Sequence, residues 1–343
     1  MHKNPFSPTP IFFATLLAIL FSTQALQAQH KSLINWMTLE EAVALQEKQP
    51  KTILIDTYTD WCGWCKVMDT TTFLDPNIAG YINSMFYPVK FNAETTDTVV
   101  YRGKKYGNNQ TGRRSANQLA IELLKGNLSY PTLVYIDDQW NNYPVGGYLK
   151  PEQIEPILIY FAEKVNKSAP FDDFKKSFET IYRTNNPPAD RINWISFEDA
   201  VAKTQTDPKK IIVSIYSNFM ISSNLLNSTI LADSSLTDYI NQNYYAVKIM
   251  AERTDTIVVG GRTFVNELKV PNYPHQLAIA LLNGEMYYPT LLMMDEKTSI
   301  INKIKGFMKL DDIDAVLHYF ASNSYQTKSW DEFRASYAKT TAP

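Results

Sequence analysis

The chain has two cysteines, Cys62 and Cys65, two residues apart in Trp61-Cys62-Gly63-Trp64-Cys65-Lys66. Before them Thr52–Tyr58 reads as a buried β-strand, and after them Lys66 onward reads as a helix. A Cys-x-x-Cys at a strand-to-helix junction sets its first sulfur at a helix N-terminus. Unpaired backbone N–H groups and the helix dipole there favour a thiolate. The pKa of Cys62 is therefore expected below the free-thiol value of about 8.5, which makes Cys62 the nucleophile of a dithiol redox centre. A purely structural disulfide over so short a loop removes little unfolded-state entropy. A zinc site needs about four ligands, and the histidines, His2, His30, His275 and His318, do not stand at zinc-knuckle spacing from Cys62. No metal or other cofactor is expected.

Residues 1–28 have the pattern of a secretory signal peptide: Lys3, an apolar run at 11–21, and Ala25-Leu26-Gln27-Ala28 as a small-residue cleavage site. The apolar run is about half the ~20 residues of a bilayer span. No cysteine follows it to carry a lipid. The reading is a periplasmic or secreted protein with no stable membrane insertion after signal removal, in a compartment where disulfides form. Whole-chain charge is −2, and −3 without Lys3. With no basic stripe, nucleic acid and anionic membrane are poor partners.

The second half repeats the first at an offset of 158 residues. Ile34-Asn35-Trp36 returns as Ile192-Asn193-Trp194, Val89-Lys90 as Val247-Lys248, and Tyr130-Pro131-Thr132 as Tyr288-Pro289-Thr290. At 159, Gly147-Tyr148 matches Gly306-Phe307. A period this long means two copies of a whole domain, since solenoid periods are nearer 20–50 residues. The chain divides into a signal peptide (1–28), a first domain (29–186) and a second (187–343), with Asn185-Asn186-Pro187-Pro188 as linker. Each copy opens with a helix behind a capping sequence, Thr38-x-x-Glu41 or Ser196-x-x-Asp199. Strands at 52–58 and 210–216 follow, then the helix after the cysteine position, and strands at 86–91 and 244–250. Next come a short hairpin, helices at 115–125 and 274–283, the Tyr-Pro-Thr strand, one more strand, and closing helices at 151–165 and 310–321. Amphipathic tails run over 171–182 and 330–337. The fold class is α/β, a central mixed sheet with flanking helices in each copy.

In the second copy Cys62 becomes Met220, Cys65 becomes Ser223, Asp56 becomes Ser214 and Trp61 becomes Phe219. The scaffold persists while the thiol chemistry is erased. That contrast groups Asp56, Cys62 and Cys65 as one functional unit.

These residues resemble the thioredoxin superfamily, and the first copy is similar to exported bacterial thioredoxin-like proteins related to the C-terminal domain of the thiol:disulfide interchange protein. The hexapeptide at 61–66, Asp56 six residues before Cys62, and Tyr130-Pro131-Thr132 carry the resemblance. It implies tandem thioredoxin-like domains, the second degenerate. It further implies thiol–disulfide exchange in which Cys62 attacks a substrate disulfide and Cys65, expected to be the more buried, resolves the mixed disulfide. Asp56 would be a desolvated carboxylate taking the Cys65 proton; a solvated strand-end carboxylate is the other reading. Pro131 would be the family's cis-proline, or else an ordinary trans proline starting a strand. Trp61, Gly63, Trp64, Tyr130, Pro131 and Thr132 form the expected substrate surface. Lys66 either supports the thiolate or stands on a solvated face, and the segment 92–114 either lines the groove or is a solvated loop. The resemblance favours a disulfide reductase with a disulfide-containing protein substrate and a thiol electron donor. A non-enzymatic polypeptide-binding or scaffold protein is the alternative. The second domain is expected to serve as a substrate- or partner-binding module through its proline groove, as a homodimer surface, or as a packing partner.

Overall fold

The computed structural model describes residues 32–108, 114–270 and 273–341. The signal sequence read at 1–28 lies outside them. Among the described residues no helix is long and apolar enough to cross a membrane.

The first half runs α1 (Leu39–Lys48), β1 (Ile53–Tyr58), α2 (Gly63–Thr70), α3 (Pro76–Met85), β2 (Tyr87–Asn92), a ribbon of β3 (Val99–Tyr101) and β4 (Lys104–Tyr106), α4 (Gln118–Leu123), β5 (Thr132–Ile136), β6 (Asn142–Gly146), α5 (Pro151–Ala162) and α6 (Phe171–Ser177). Its four-stranded sheet has the order β2-β1-β5-β6, with β1 parallel to β2 and antiparallel to β5. The second half repeats this as β7 (Trp194–Ile195), α7 (Phe197–Lys203), β8 (Lys210–Tyr216), α8 (Ile221–Ala232), α9 (Ser234–Asn243), β9 (Tyr244–Met250), a ribbon of β10 (Ile257–Val259) and β11 (Arg262–Phe264), α10 (Gln276–Leu282), β12 (Thr290–Met294), β13 (Ile300–Lys305), α11 (Leu310–Ala321) and α12 (Trp330–Thr341). Its five-stranded sheet has the order β13-β12-β8-β9-β7. The protein is α/β, two tandem thioredoxin-like units, each a mixed sheet flanked by helices.

Local sequence sets the element ends. Thr38 and Glu41 close a reciprocal capping box on α1. Asp75 caps α3 ahead of Pro76, which needs no N–H in the first turn. The helix read at 115–125 is shorter than expected. The Asn117 side chain takes the Leu119 N–H, so the helix starts at Gln118. The helix read at 151–165 stops at Ala162, because Lys164 turns left-handed with φ 58°.

The sheets are not two beads on a linker. Strand alternation gives each sheet two apolar faces. One face of each packs a private core: Ile53, Ile55, Val134 and Ile136 in the first half, Ile211, Val213, Ile215 and Leu292 in the second. The other faces, with Leu54, Leu133 and Tyr135 in the first half and Ile212, Leu291 and Met293 in the second, belong together with the helices between them to one continuous core. α6 sits inside it: Phe174 is fully buried and meets Phe307 of the second half edge-on at 5.7 Å.

Candidate active site

β1 ends in Tyr58, and the chain turns through Thr59-Asp60-Trp61 into α2, whose N-cap is Cys62. Cys62 and Cys65 are joined in a disulfide. The Cys62 sulfur accepts the Cys65 backbone N–H at 3.1 Å, so one of the orphan donors of the α2 N-terminus is aimed at this sulfur. Burial does not separate the two cysteines, since each is 4% exposed in the disulfide form. The expected greater burial of Cys65 is not seen; the backbone donor, not depth, distinguishes Cys62.

Asp56 lies one strand position from the end of the fully buried stretch of β1 and is 2% exposed. The solvated reading of this carboxylate is thereby overturned. One oxygen accepts from Lys90 Nζ at 3.1 Å, and the other has no hydrogen-bond partner within the protein. Burial lifts its pKa to about 6, and the opposing pull of Lys90 does not cancel that rise.

Lys90 and Asp69 complete the group, and sequence reading missed their role. The β1–β2 register sets Lys90 beside Asp56, and Lys90 also pairs with Asp69 on α2. The ammonium stands over the rings of Trp36, Tyr58 and Phe73, 5.3, 5.1 and 5.9 Å from their centroids. Burial alone would lower the Lys90 pKa, but the two carboxylates outweigh it and hold the pKa above its ordinary value. A signal was available. In the second half Lys248 keeps its aromatic neighbours Trp194 and Tyr216, whereas both acids are gone: Asp56 becomes Ser214 and Asp69 becomes Asn227, which bond each other at 2.7 Å. The carboxylates vanish together with the cysteines.

The Tyr130–Pro131 peptide is cis, as is Tyr288–Pro289. Thr132 starts β5 opposite Thr57, and its hydroxyl donates to the Ser129 carbonyl at 2.8 Å. Trp64, Tyr130, Pro131, Gly147 and Tyr148 line an open groove of about 230 Å³ beside the dithiol. Trp64 is 62% exposed and stacks on Tyr148 at 5.4 Å. Gly63 is exposed at the start of α2, with open space where a Cβ would stand. Trp61 donates its indole N–H to Glu94 at 2.9 Å, meets Tyr130 edge-on at 6.2 Å, and lies under the Arg114 guanidinium at 4.3 Å. Glu94 and Arg114 come from the polar segment 92–114, so this part of it flanks the groove. Lys66 is exposed on α2. Among the described residues no group of three or more His, Cys, Asp or Glu is arranged to hold a metal.

The groove expected in the second half is closed. Its helix N-terminus, its proline loop and Gly306 are covered by Glu163, Lys164 and Ser168 of the first half. The expectation that this groove receives a substrate or partner is corrected by that packing.

The site thus combines a buried carboxylate, a cis-proline loop and a disulfide whose first sulfur caps a helix. Residues 19–167 match the family model Thioredox_DsbH, described as a protein of unknown function, DUF255. The thiol:disulfide interchange protein DsbD of Photorhabdus laumondii is 24% identical over 135 residues, which cover 37% of this chain and 20% of that protein. DsbD of Citrobacter koseri is 28% identical over 141 residues, covering 38% and 21%. The chain thus spans about a fifth of the length of these curated relatives. Two solved structures are similar in part. A thioredoxin-fold protein from Helicobacter pylori is 16% identical, covering 48% of this chain and 94% of that one, with a TM-score of 0.30. The reduced C-terminal domain of Neisseria meningitidis DsbD is 20% identical, covering 36% and 93%, with a TM-score of 0.25. Over residues 19–167 the chain is thus similar to the Thioredox_DsbH family and, in part, to the DsbD proteins.

Proposed function

We propose that the protein is an exported thiol:disulfide oxidoreductase, working as a disulfide reductase, with residues 29–186 as its catalytic module and 187–343 as a module without redox chemistry. The observation that carries this reading is the Cys62–Cys65 pair at the N-terminus of α2 together with the buried Asp56 and its partners Lys90 and Asp69, set against a second copy in which both cysteines and both acids are replaced together.

In the reduced protein the Cys62 thiolate attacks one sulfur of a substrate disulfide, forms a mixed disulfide and expels the other substrate sulfur as thiolate. Cys65 gives its proton to the Asp56 carboxylate, attacks the Cys62 sulfur and releases the second substrate thiol. Two electrons pass to the substrate, and the protein is left in the disulfide state seen here. A thiol donor returns it to the dithiol by the reverse exchange. Asp56 with a pKa of about 6 is largely ionised near neutral pH, so it can accept that proton, while burial keeps it basic enough to matter. Trp64, Tyr130, Pro131 and Tyr148 supply the surface for a protein substrate, and Trp61 with Glu94 and Arg114 bounds it.

An insulin-type disulfide reduction assay tests the proposal. The wild type should accelerate reduction by a dithiol donor and Cys62→Ser should not. Equal rates for the two proteins would leave the polypeptide-binding reading in its place. The equilibrium potential of Cys62–Cys65 against a glutathione buffer then decides the direction of electron flow.

A further inference from the structure

The former redox position of the second half is occupied by the first half. Gly63 and Trp64, the first residues of α2, correspond to Ile221 and Ser222 at the start of the 12-residue helix α8. Met220 is the N-cap there, and its side chain offers no cap. Instead the two oxygens of Glu163, just past the end of α5, accept the N–H of Ile221 at 2.9 Å and of Ser222 at 2.7 Å. A third donor, Tyr81 on α3, reaches the carboxylate at 3.4 Å. Glu163 is 4% exposed. A buried carboxylate on a helix N-terminus satisfies orphan donors and complements the helix dipole.

The rest of the second groove is closed by the same turn of chain. Tyr287, two residues before Pro289, donates its hydroxyl to the Lys164 carbonyl at 3.0 Å. A Cβ on Gly306 would stand 2.5 Å from the Ser168 hydroxyl oxygen, while its counterpart Gly147 faces open space. What remains beside Met220, Tyr287 and Tyr288 is a cavity of about 80 Å³, against about 230 Å³ for the open groove of the first half.

We propose that the vacated redox position of the second module is a receptor for the acidic side chain of Glu163. In this reading Ile221 and Ser222, the counterparts of Gly63 and Trp64, hold the carboxylate at the helix N-terminus that in the active module carries the cysteine pair, and the Tyr287–Pro289 loop holds the turn that follows. The second module binds the first through its former active-site surface and presents no groove to a substrate. This stands whether or not Cys62–Cys65 is a reductase centre, because it rests on different residues.

Hydrogen exchange on the full chain, followed by mass spectrometry, reads the contact directly. In Glu163→Ala, peptides covering 219–226 and 284–290 should exchange at least about tenfold faster than in the wild type. Glu163→Gln, which keeps one carbonyl acceptor, should fall between and serves if the alanine variant does not fold. The reaction of Cys62 and Cys65 with a small disulfide should be unchanged. A second arm returns cysteines to the vacated position with Met220→Cys and Ser223→Cys. With Glu163 present, the thiol introduced at 220 should be alkylated by iodoacetamide at least about tenfold more slowly than Cys62, and Glu163→Gln should speed it. Unchanged exchange in both Glu163 variants, or an introduced thiol as reactive as Cys62 with Glu163 in place, would overturn the proposal.

Discussion

Replacing Asp56 by asparagine removes a charge without changing shape, and its effect on stability should depend on pH in a calculable way. Burial raises the Asp56 pKa from 3.8 to about 6 in the folded protein. The gap of about two units, at about 1.4 kcal/mol per unit, comes to about 3 kcal/mol. The sign follows from which state holds the proton more tightly. Here the folded protein does, so the neutral carboxyl favours folding. That contribution is fully present below about pH 3.8 and is lost as pH rises through about 6, where the folded chain must carry a buried carboxylate. Asparagine does not titrate. The stability of Asp56→Asn relative to the wild type should therefore climb by about 3 kcal/mol between pH 3.5 and pH 8, most of it between pH 4 and 6. The attraction of Lys90 already lies within the value of about 6, so no separate ion-pair contribution is added. Urea denaturation of both proteins in the disulfide form, at half-unit pH steps, measures the difference. A flat difference would mean that Asp56 ionises as it does in water and is no buried base. A difference falling with pH would mean that the Lys90 ion pair outweighs desolvation. Either result refutes the reasoning, and with it the assignment of Asp56 as acceptor of the Cys65 proton.

Lys90→Met removes the cation that pulls the Asp56 pKa down, so the pH profile of mixed-disulfide resolution should move to higher pH, and the variant should lose stability increasingly above pH 6; an unmoved profile would detach Lys90 from the acid–base group. With limiting iodoacetamide on the reduced protein, Cys62 should be alkylated well before Cys65, because the α2 N-terminal donor points at its sulfur; the reverse order would exchange their roles. Tyr148→Ala removes the ring stacked on Trp64, worth about 1 kcal/mol. KM for a protein disulfide should rise about fivefold while the reduction of a small disulfide is unaffected, and equal effects on both would show that the pair does not contact substrate. Phe174→Ala empties a fully buried site in the core shared by the two halves and should cost about 3–5 kcal/mol. Because the core is shared, both halves should unfold in one transition moved to lower urea; two separate transitions would show that the halves fold independently.

The dithiol, the repeat and the order of elements were legible in the linear chain because each is a local or periodic feature. Cys-x-x-Cys at a strand-to-helix junction needs only the neighbouring residues to be read. Two copies at an offset of 158 declare themselves by comparison, and capping residues such as Thr38, Asp75 and Ser196 mark helix starts by their own side chains. Asp56 could be picked out, but its burial could not, since Leu54 and Asp56 share one strand parity and only the covering layer decides which end of that face is wet. Lys90 and Asp69 lie 34 and 13 residues from Asp56, and strand register and the path of α2 bring them to it. Lys90 therefore looked like scaffold, being kept as Lys248 in the second copy. The relation between the halves was hidden altogether. Asn185-Asn186-Pro187-Pro188 reads as a linker, and nothing near Glu163 in sequence points to Ile221, 58 residues on. That pairing depends on the helices of the two halves burying their apolar faces in one shared core. The same packing brings the end of α5 to the open N-terminus of α8, where an acidic side chain can meet unpaired backbone donors.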